Sequence, residues 1–191
     1  MAKFTYRIAS RELMAKGWSQ LVKLEVEAKS ENGDILLLPR EVADHGHGAG
    51  VLPVDRSRGT VLLVRQWRAG VAFAGGNPWV LEVCAGLLDG NEDPEICVRR
   101  EAVEELGVRV HHVRHIATCF SSPGAFSERI SMFMADYSEQ DRLHEGGGLD
   151  HEHEDIEVIE MPIAEALDLL AKGDISDLKT AFLLQQLKLE S

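Results

Sequence analysis

The sequence predicts an α+β fold, mixed strands flanked by helices, with an antiparallel β extension at the N-terminus. Three observations lead there: period-2 alternation in the first strands, a well-capped helix in mid-chain, and two helical stretches at the end. A length of 191 residues with 45% apolar content supplies one core of ordinary domain size and a modest extension.

From residue 18 to 28, Val22, Leu24, Val26 and Ala28 alternate with Lys23, Glu25 and Glu27, the pattern of a half-buried strand. Asn32-Gly33 is a hairpin turn, and residues 35–42 return as the partner strand. Residues 1–45 are therefore read as the N-terminal antiparallel extension and 46–191 as the main domain. The run His45-Gly46-His47-Gly48-Ala49-Gly50 reads as a loop, followed by strands at 51–54 and 60–67 around a turn at 55–59. A strand at 79–83 comes next, then a loop and a helix over 94–106, then apolar strands near 108–119 and 129–137. Residues 138–155 form a flexible acidic loop containing Gly146, Gly147 and Gly148, and a short strand lies near 157–160. Pro162 opens a helix with Ile163, Ala166, Leu167 and Leu170 on one face; Gly173 ends it, and 181–189 is the last helix.

The mid-chain helix carries the chemistry. Gly86 is followed after five residues by Glu92, and after seven more by Arg100-Glu101-Ala102; Glu104-Glu105, Gly107 and Val108 complete the pattern. Asp93 or Asn91 suits the N-cap, Pro94 the first helical position and Gly107 the left-handed stop. With Glu101 at zero and about 100° per residue, Glu105 falls about 40° to one side and Glu104 about 60° to the other. Ile96, Ala102, Val103 and Leu106 gather opposite them as the expected core stripe. Three carboxylates near a helix C-terminus repel each other and the negative end of the dipole, costing roughly 0.3–1 kcal/mol each. A cation is expected to offset that cost, and hard oxygen donors select Mg²⁺ or Mn²⁺ over Zn²⁺.

These residues fill every position of the Nudix box, with a chance expectation below about one in a million at ordinary residue usage. The chain thereby resembles the Nudix hydrolases, which cleave a diphosphate linked to another moiety. The resemblance implies the Nudix fold, a mixed sheet between helices with the box loop and helix beside it. It also implies roles. Glu101 and Glu105 would bind the metal together with the Ala85 carbonyl, Glu104 would support them, and Arg100 would orient a glutamate. Glu92 would hold the loop to the helix, and Gly86, next to Leu87, would let a phosphate approach.

Outside the box, Ser122-Pro123-Gly124 puts a proline 16 residues past Gly107, a mark of the ADP-ribose pyrophosphatase branch. Arg65-Gln66-Trp67-Arg68, the run from Glu82 to Asp89, the three glycines, Glu154-Asp155-Ile156-Glu157-Val158 and Lys179-Thr180 resemble the GDP-mannose pyrophosphatases of that branch. On that likeness Arg40, Arg68, Glu128 and Lys179 are expected substrate contacts, along with Gly86 and Leu87, and Glu154 the loop carboxylate that approaches the metal. Glu152 is its rival in the same loop. The implied reaction converts a nucleoside diphosphate sugar, GDP-mannose by preference or else ADP-ribose, to a nucleoside monophosphate and a sugar phosphate. A nucleotide-sensing module without catalysis is disfavoured because every box glutamate is present.

A net charge of −12 speaks against nucleic-acid or membrane-surface partners. The chain begins without an apolar signal-like segment and has no run of roughly 18 apolar residues, so a cytoplasmic protein is expected. Cys84, Cys97 and Cys119 read as buried free thiols, and His45/His47 and His151/His153 do not by themselves make a zinc site. A homodimer built partly from residues 18–42 is expected.

Overall fold

The computed structural model describes residues 3–148 and 155–190. They form two compact units, one made of the chain up to His47 together with Phe120–Arg129, the other of Gly48–Cys119 and the chain from Ile130 onward.

In the first unit, strands β1 (Phe4–Lys16), β2 (Gln20–Ser30) and β3 (Ile35–Asp44) pair antiparallel in chain order. The alternation in β2 holds: Lys23 and Glu25 are exposed, Val22, Leu24 and Val26 half-buried, and Ala28 buried. Gly33 takes a φ of 89° at the turn, where the left-handed conformation favours glycine. Strand β1 has no counterpart among the sequence expectations. Register shifts between Ile8 and Ser10 and between Leu13 and Ala15 break its two-residue period, which is what β-bulges do. The segment 120–129 docks on β3 through Ala43, whose N–H donates to the Ala125 carbonyl at 2.8 Å.

In the second unit, β4 (Gly48–Asp55), β5 (Thr60–Trp67), β6 (Trp79–Glu82), β7 (Cys84–Leu87), β8 (His111–Phe120), β9 (Arg129–Asp136) and β10 (Ile156–Pro162) make a seven-stranded mixed sheet. Its order is β10-β5-β4-β9-β8, with β6 on β5 and β7 on β4; β4 and β9 run parallel. One face carries Ala49, Val51, Leu62, Val64, Phe133 and Ala135 against helix α2 (Pro94–Glu104). The other carries Leu52, Val54, Val61, Leu63, Met132 and Met134 against α3 (Ile163–Lys172) and α4 (Leu178–Leu189). The alternation of neighbouring residues between two clusters is the period of a strand buried on both faces. A short helix, α1 (Ala69–Phe73), follows β5. No helix among the described residues is long and apolar enough to cross a membrane.

Several sequence expectations are corrected. The stretch Gly48-Ala49-Gly50 is not loop but the buried start of β4. Its residues are small because β7 lies close: a Cβ on Gly50 would stand 3.2 Å from the Ala85 Cβ. Ile96 is 60% exposed rather than in the core. The buried face of α2 is Cys97, Val98, Glu101 and Ala102, so Glu101 lies on the core side of the helix. Cys84 and Cys97 are buried free thiols, but Cys119 is exposed, since β8 is the edge strand. Helix α4 begins earlier than expected, capped by Asp177, whose carboxylate accepts from the Thr180 N–H at 2.9 Å.

Candidate active site

The box begins where the chain changes partner in the sheet. β6 pairs with β5 and β7 with β4, and Val83 lies at the switch. Its N–H donates not to a strand but to Thr180 Oγ1 at 2.7 Å, and Thr180 is fully buried. Ala85 and Gly86 then lie opposite Gly50 and Ala49 in register.

After β7 the loop turns back through Gly90 at φ 59°, and Glu92 accepts from the Asp89 N–H at 3.2 Å. Asp93 caps α2 by accepting from the Glu95 N–H at 2.8 Å, with Pro94 in the first turn as expected. The helix ends at Glu104 with Glu105 as its C-cap, and Gly107 stops it at φ 68°. A Cβ on Gly107 would also lie 2.1 Å from the His144 carbonyl, so this position requires glycine twice over.

Arg100 organises the carboxylates. Its Nη2 lies 3.1 Å from Glu92 Oε2, and its Nη1 2.7 Å from Glu101 Oε1 and 3.0 Å from Glu104 Oε2. Nη2 also donates to the Leu87 carbonyl at 3.3 Å. The Arg100 guanidinium holds the Glu92 carboxyl below its ordinary value. Glu105, 3% exposed, accepts from the Ala85 N–H at 3.2 Å. Burial pushes the Cys84 thiol far up and Cys97 up to about 12, so neither is a thiolate at neutral pH.

Gly86 forms a cradle for Glu101. A Cβ there would lie 1.7 Å from Glu101 Oε1 and 2.2 Å from its Cδ, so the carboxylate occupies the space that any other side chain would fill. The missing side chain at Gly86 thus makes room for Glu101. Two buried carboxylates on the box helix and the peptide of Ala85 beside them are a hard-oxygen donor set, which fits Mg²⁺ or Mn²⁺. Among the described residues no three His, Cys, Asp or Glu side chains already converge as a metal cluster. The expected loop donor Glu154, with its rival Glu152, lies outside the described residues.

A second constellation sits next to the box. Arg68 forms a two-pronged pair with Glu82, Nε to Oε1 at 2.6 Å and Nη2 to Oε2 at 3.1 Å. Lys179 Nζ shares Glu82 Oε2 at 3.0 Å and also meets Asp177 Oδ1 at 2.7 Å. Burial opposes the charges on Arg68, Lys179 and Asp177, yet their mutual pairing keeps both bases raised and the acid lowered. Sequence reasoning singled out Arg68 and Lys179 but gave no role to Glu82 or Asp177. Asp177 had a legible signal, an N-cap acid three residues before Thr180.

Arg40 and Glu128 belong to the first unit. Arg40 Nη1 donates to the adjacent Pro39 carbonyl at 2.8 Å. Glu128 Oε2 lies 4.0 Å from His45 Nε2, and that imidazole stacks on Trp18 with ring centroids 5.0 Å apart. Of the three glycines in the acidic loop, Gly146 donates its N–H to His144 Nδ1 at 3.1 Å and the other two bond to the end of the box helix. Gly147 and Gly148 donate N–H groups to the Glu105 and Glu104 carbonyls at 2.8 and 3.2 Å, satisfying the open end of α2.

The NUDIX domain family model matches residues 44–182. The chain is 41% identical over 180 residues to a GDP-mannose pyrophosphatase of Cronobacter sakazakii, covering 93% of this chain and 92% of that protein. It is 42% identical over 178 residues to a GDP-mannose pyrophosphatase of Klebsiella pneumoniae, covering 93% and 88%. In fold it is similar to a solved ADP compounds hydrolase, with a TM-score of 0.72, 20% identity and coverage of 100% of this chain and 96% of that one. With the box folded as a loop, helix and cradle, and with relatives this similar along nearly its whole length, the chain belongs to the Nudix family and is a Nudix pyrophosphatase.

Proposed function

We propose that the protein hydrolyses the diphosphate of a nucleoside diphosphate sugar, GDP-mannose in preference, to a nucleoside monophosphate and a sugar phosphate. The observation that carries the choice of substrate is the 38–42% identity over 92% or more of this chain to proteins named for GDP-mannose. Mg²⁺ or Mn²⁺ would be held by Glu101, Glu105 and the Ala85 carbonyl, with Glu154 as a further donor. When bound, such a cation neutralises diphosphate charge and lowers the pKa of water.

The chain's own residues do the rest. Arg100 fixes Glu101 and Glu104 in orientation through its shared Nη1, and ties both to the loop through Glu92. Arg68 and Lys179 offer positive charge to the phosphates, and the backbone of Gly86 and Leu87 lines the approach. Glu154 receives or positions the proton of the attacking water. Arg40 and Glu128 are further contacts of the nucleotide sugar. The N-terminal extension, residues 1–45, pairs two copies of the protein. Its sheet leaves Tyr6, Ile8, Leu13 and Leu36 exposed on one face, an apolar surface of the kind that marks an interface. A cytoplasmic location accords with a nucleotide-sugar substrate.

The test is a panel of nucleotide sugars with Mg²⁺ in ¹⁸O-water, products read by mass spectrometry and kcat/KM compared across the panel. GDP-mannose should lead. ADP-ribose in front would overturn the sugar, and a nucleoside triphosphate in front would overturn the branch. Light scattering at micromolar concentration should give a dimer; a monomer would remove the role given to residues 1–45.

A further inference from the structure

We infer that Glu82 is a positioning residue for catalysis, its buried carboxylate holding Arg68 and Lys179 at one fixed spacing beside the box helix. The inference rests on the reading of those two bases as substrate contacts.

Glu82 is 3% exposed and ends β6, three residues before Ala85. Its two oxygens meet three nitrogens on two other elements: Arg68 Nε and Nη2 just past β5, and Lys179 Nζ in the first turn of α4. Among the described residues no other acid hydrogen-bonds both bases; of the two, Asp177 bonds Lys179. A fork of two parallel N–H···O bonds fixes the plane of a guanidinium as well as its place. Arg68 has five N–H donors, of which Glu82 uses two, and among the described residues its side chain has no other acceptor. The guanidinium is thus held in one orientation, with its side chain 40% exposed. Lys179 spends two of three donors on Glu82 and Asp177 and keeps one. Both bases thus have donors left to offer an anion, which a purely internal pair would not need.

Energetics argue the same way. Burying four charges rarely stabilises a fold more than apolar residues of the same volume would. The fold already has two apolar clusters, and Thr180 alone already binds α4 to Val83. Glu105 of the box acts with Glu82 and Asp177 to keep the Arg68 guanidinium charged. A diphosphate drawn to the box helix meets two bases that Glu82 ties to each other.

The experiment compares Glu82→Gln, Glu82→Asp, Arg68→Ala and Lys179→Ala, with the double variant Arg68→Ala/Glu82→Gln, using GDP-mannose or the best substrate of the panel. Glu82→Gln should raise KM about tenfold or more with kcat changed less than threefold. The double variant should raise KM by less than the product of the two single effects, because Arg68→Ala removes one of the two bases that Glu82 positions. Glu82→Asp keeps the charge but is too short to hold both bases, so it too should raise KM while its thermal melt stays close to wild type. It decides the matter if Glu82→Gln fails to fold. If Arg68→Ala and Lys179→Ala leave KM unchanged, the two bases are not substrate contacts and the inference falls with that reading. If they raise KM while Glu82→Asp does not, the contacts stand and Glu82 has no positioning role.

Discussion

Changing Gly86 to alanine adds one methyl group, and the structure says where that methyl must go. Its Cβ would lie 2.2 Å from Glu101 Cδ, whereas carbon atoms rest about 3.5–4.0 Å apart, so the carboxylate must retreat by about 1.5 Å. The nearest obstacle is the end of a flexible side chain and not backbone, and Gly86 is not among the positive-φ glycines. The fold should therefore survive, losing at most about 1 kcal/mol as the Arg100–Glu101 contact at 2.7 Å is disturbed. Activity should not. A misplacement of about 1 Å in a reacting constellation costs about a hundredfold, or roughly 2.7 kcal/mol of transition-state stabilisation. Steady-state kinetics in saturating Mg²⁺, alongside a thermal melt, should show kcat/KM down by about a hundredfold or more with a near-normal transition. Gly86→Ala combined with Glu101→Gln should be no worse than Glu101→Gln alone, since both act through one carboxylate. Gly86→Ala turning over within threefold of wild type would refute the cradle as a functional device.

Glu105→Gln keeps volume while removing an anion from the helix C-terminus, so kcat should fall by about a hundredfold or more with an unchanged or slightly raised melting temperature. Near-normal turnover in Mg²⁺ would remove Glu105 from the metal donors. Thr180→Val deletes the acceptor of the Val83 N–H and strands that buried donor, a loss of about 1–3 kcal/mol. For a chain of this size that is a fall in melting temperature of about 2–12 °C, and calorimetry finding no shift would show that Val83 has another partner. Glu154→Gln should impair turnover more than Glu152→Gln; the reverse order in single-turnover rates would move the loop assignment by two residues.

How much of this was legible depended on whether the determining chemistry was local. The cap at Asp93, the proline after it and the stop at Gly107 are decided within one helical turn, and they stand as expected. The core face of α2 is not local. The wheel placed the carboxylates toward water because charged residues ordinarily go there, yet Glu101 and Glu105 are buried against β7. That inversion is the signature of a site, and nothing within the helix announces it. β4 shows the opposite failure. Gly48, Ala49 and Gly50 carry loop residues in a strand because β7 passes close by, a fact of register that only the pairing of Gly50 with Ala85 reveals. The Arg68–Glu82–Lys179 cluster joins residues 14 and 97 positions apart in the chain. No spacing rule reaches that far, and resemblance found its bases without their acid.

The cation demanded by three glutamates at a helix C-terminus is in part built into the chain. Arg100 brings Nε within 3.3 Å of Glu92 Oε1 and Nη2 within 3.1 Å of Oε2, while Nη1 serves Glu101 and Glu104. One planar group thus meets the loop with one edge and the helix with the other. A lysine could not do this, because an ammonium is a point charge on a flexible stem and cannot span two separated edges. Glu105 is held differently, by the Ala85 N–H. The peptide that donates to one expected metal ligand is therefore the peptide whose carbonyl is expected to be another. The identity of each box position follows from this arrangement. Arginine has the required span, glutamate at position 92 completes the loop, and glycine at 86 leaves room for Glu101. Changing any one of them displaces a carboxylate without unfolding the helix, so such variants should separate loss of activity from loss of stability.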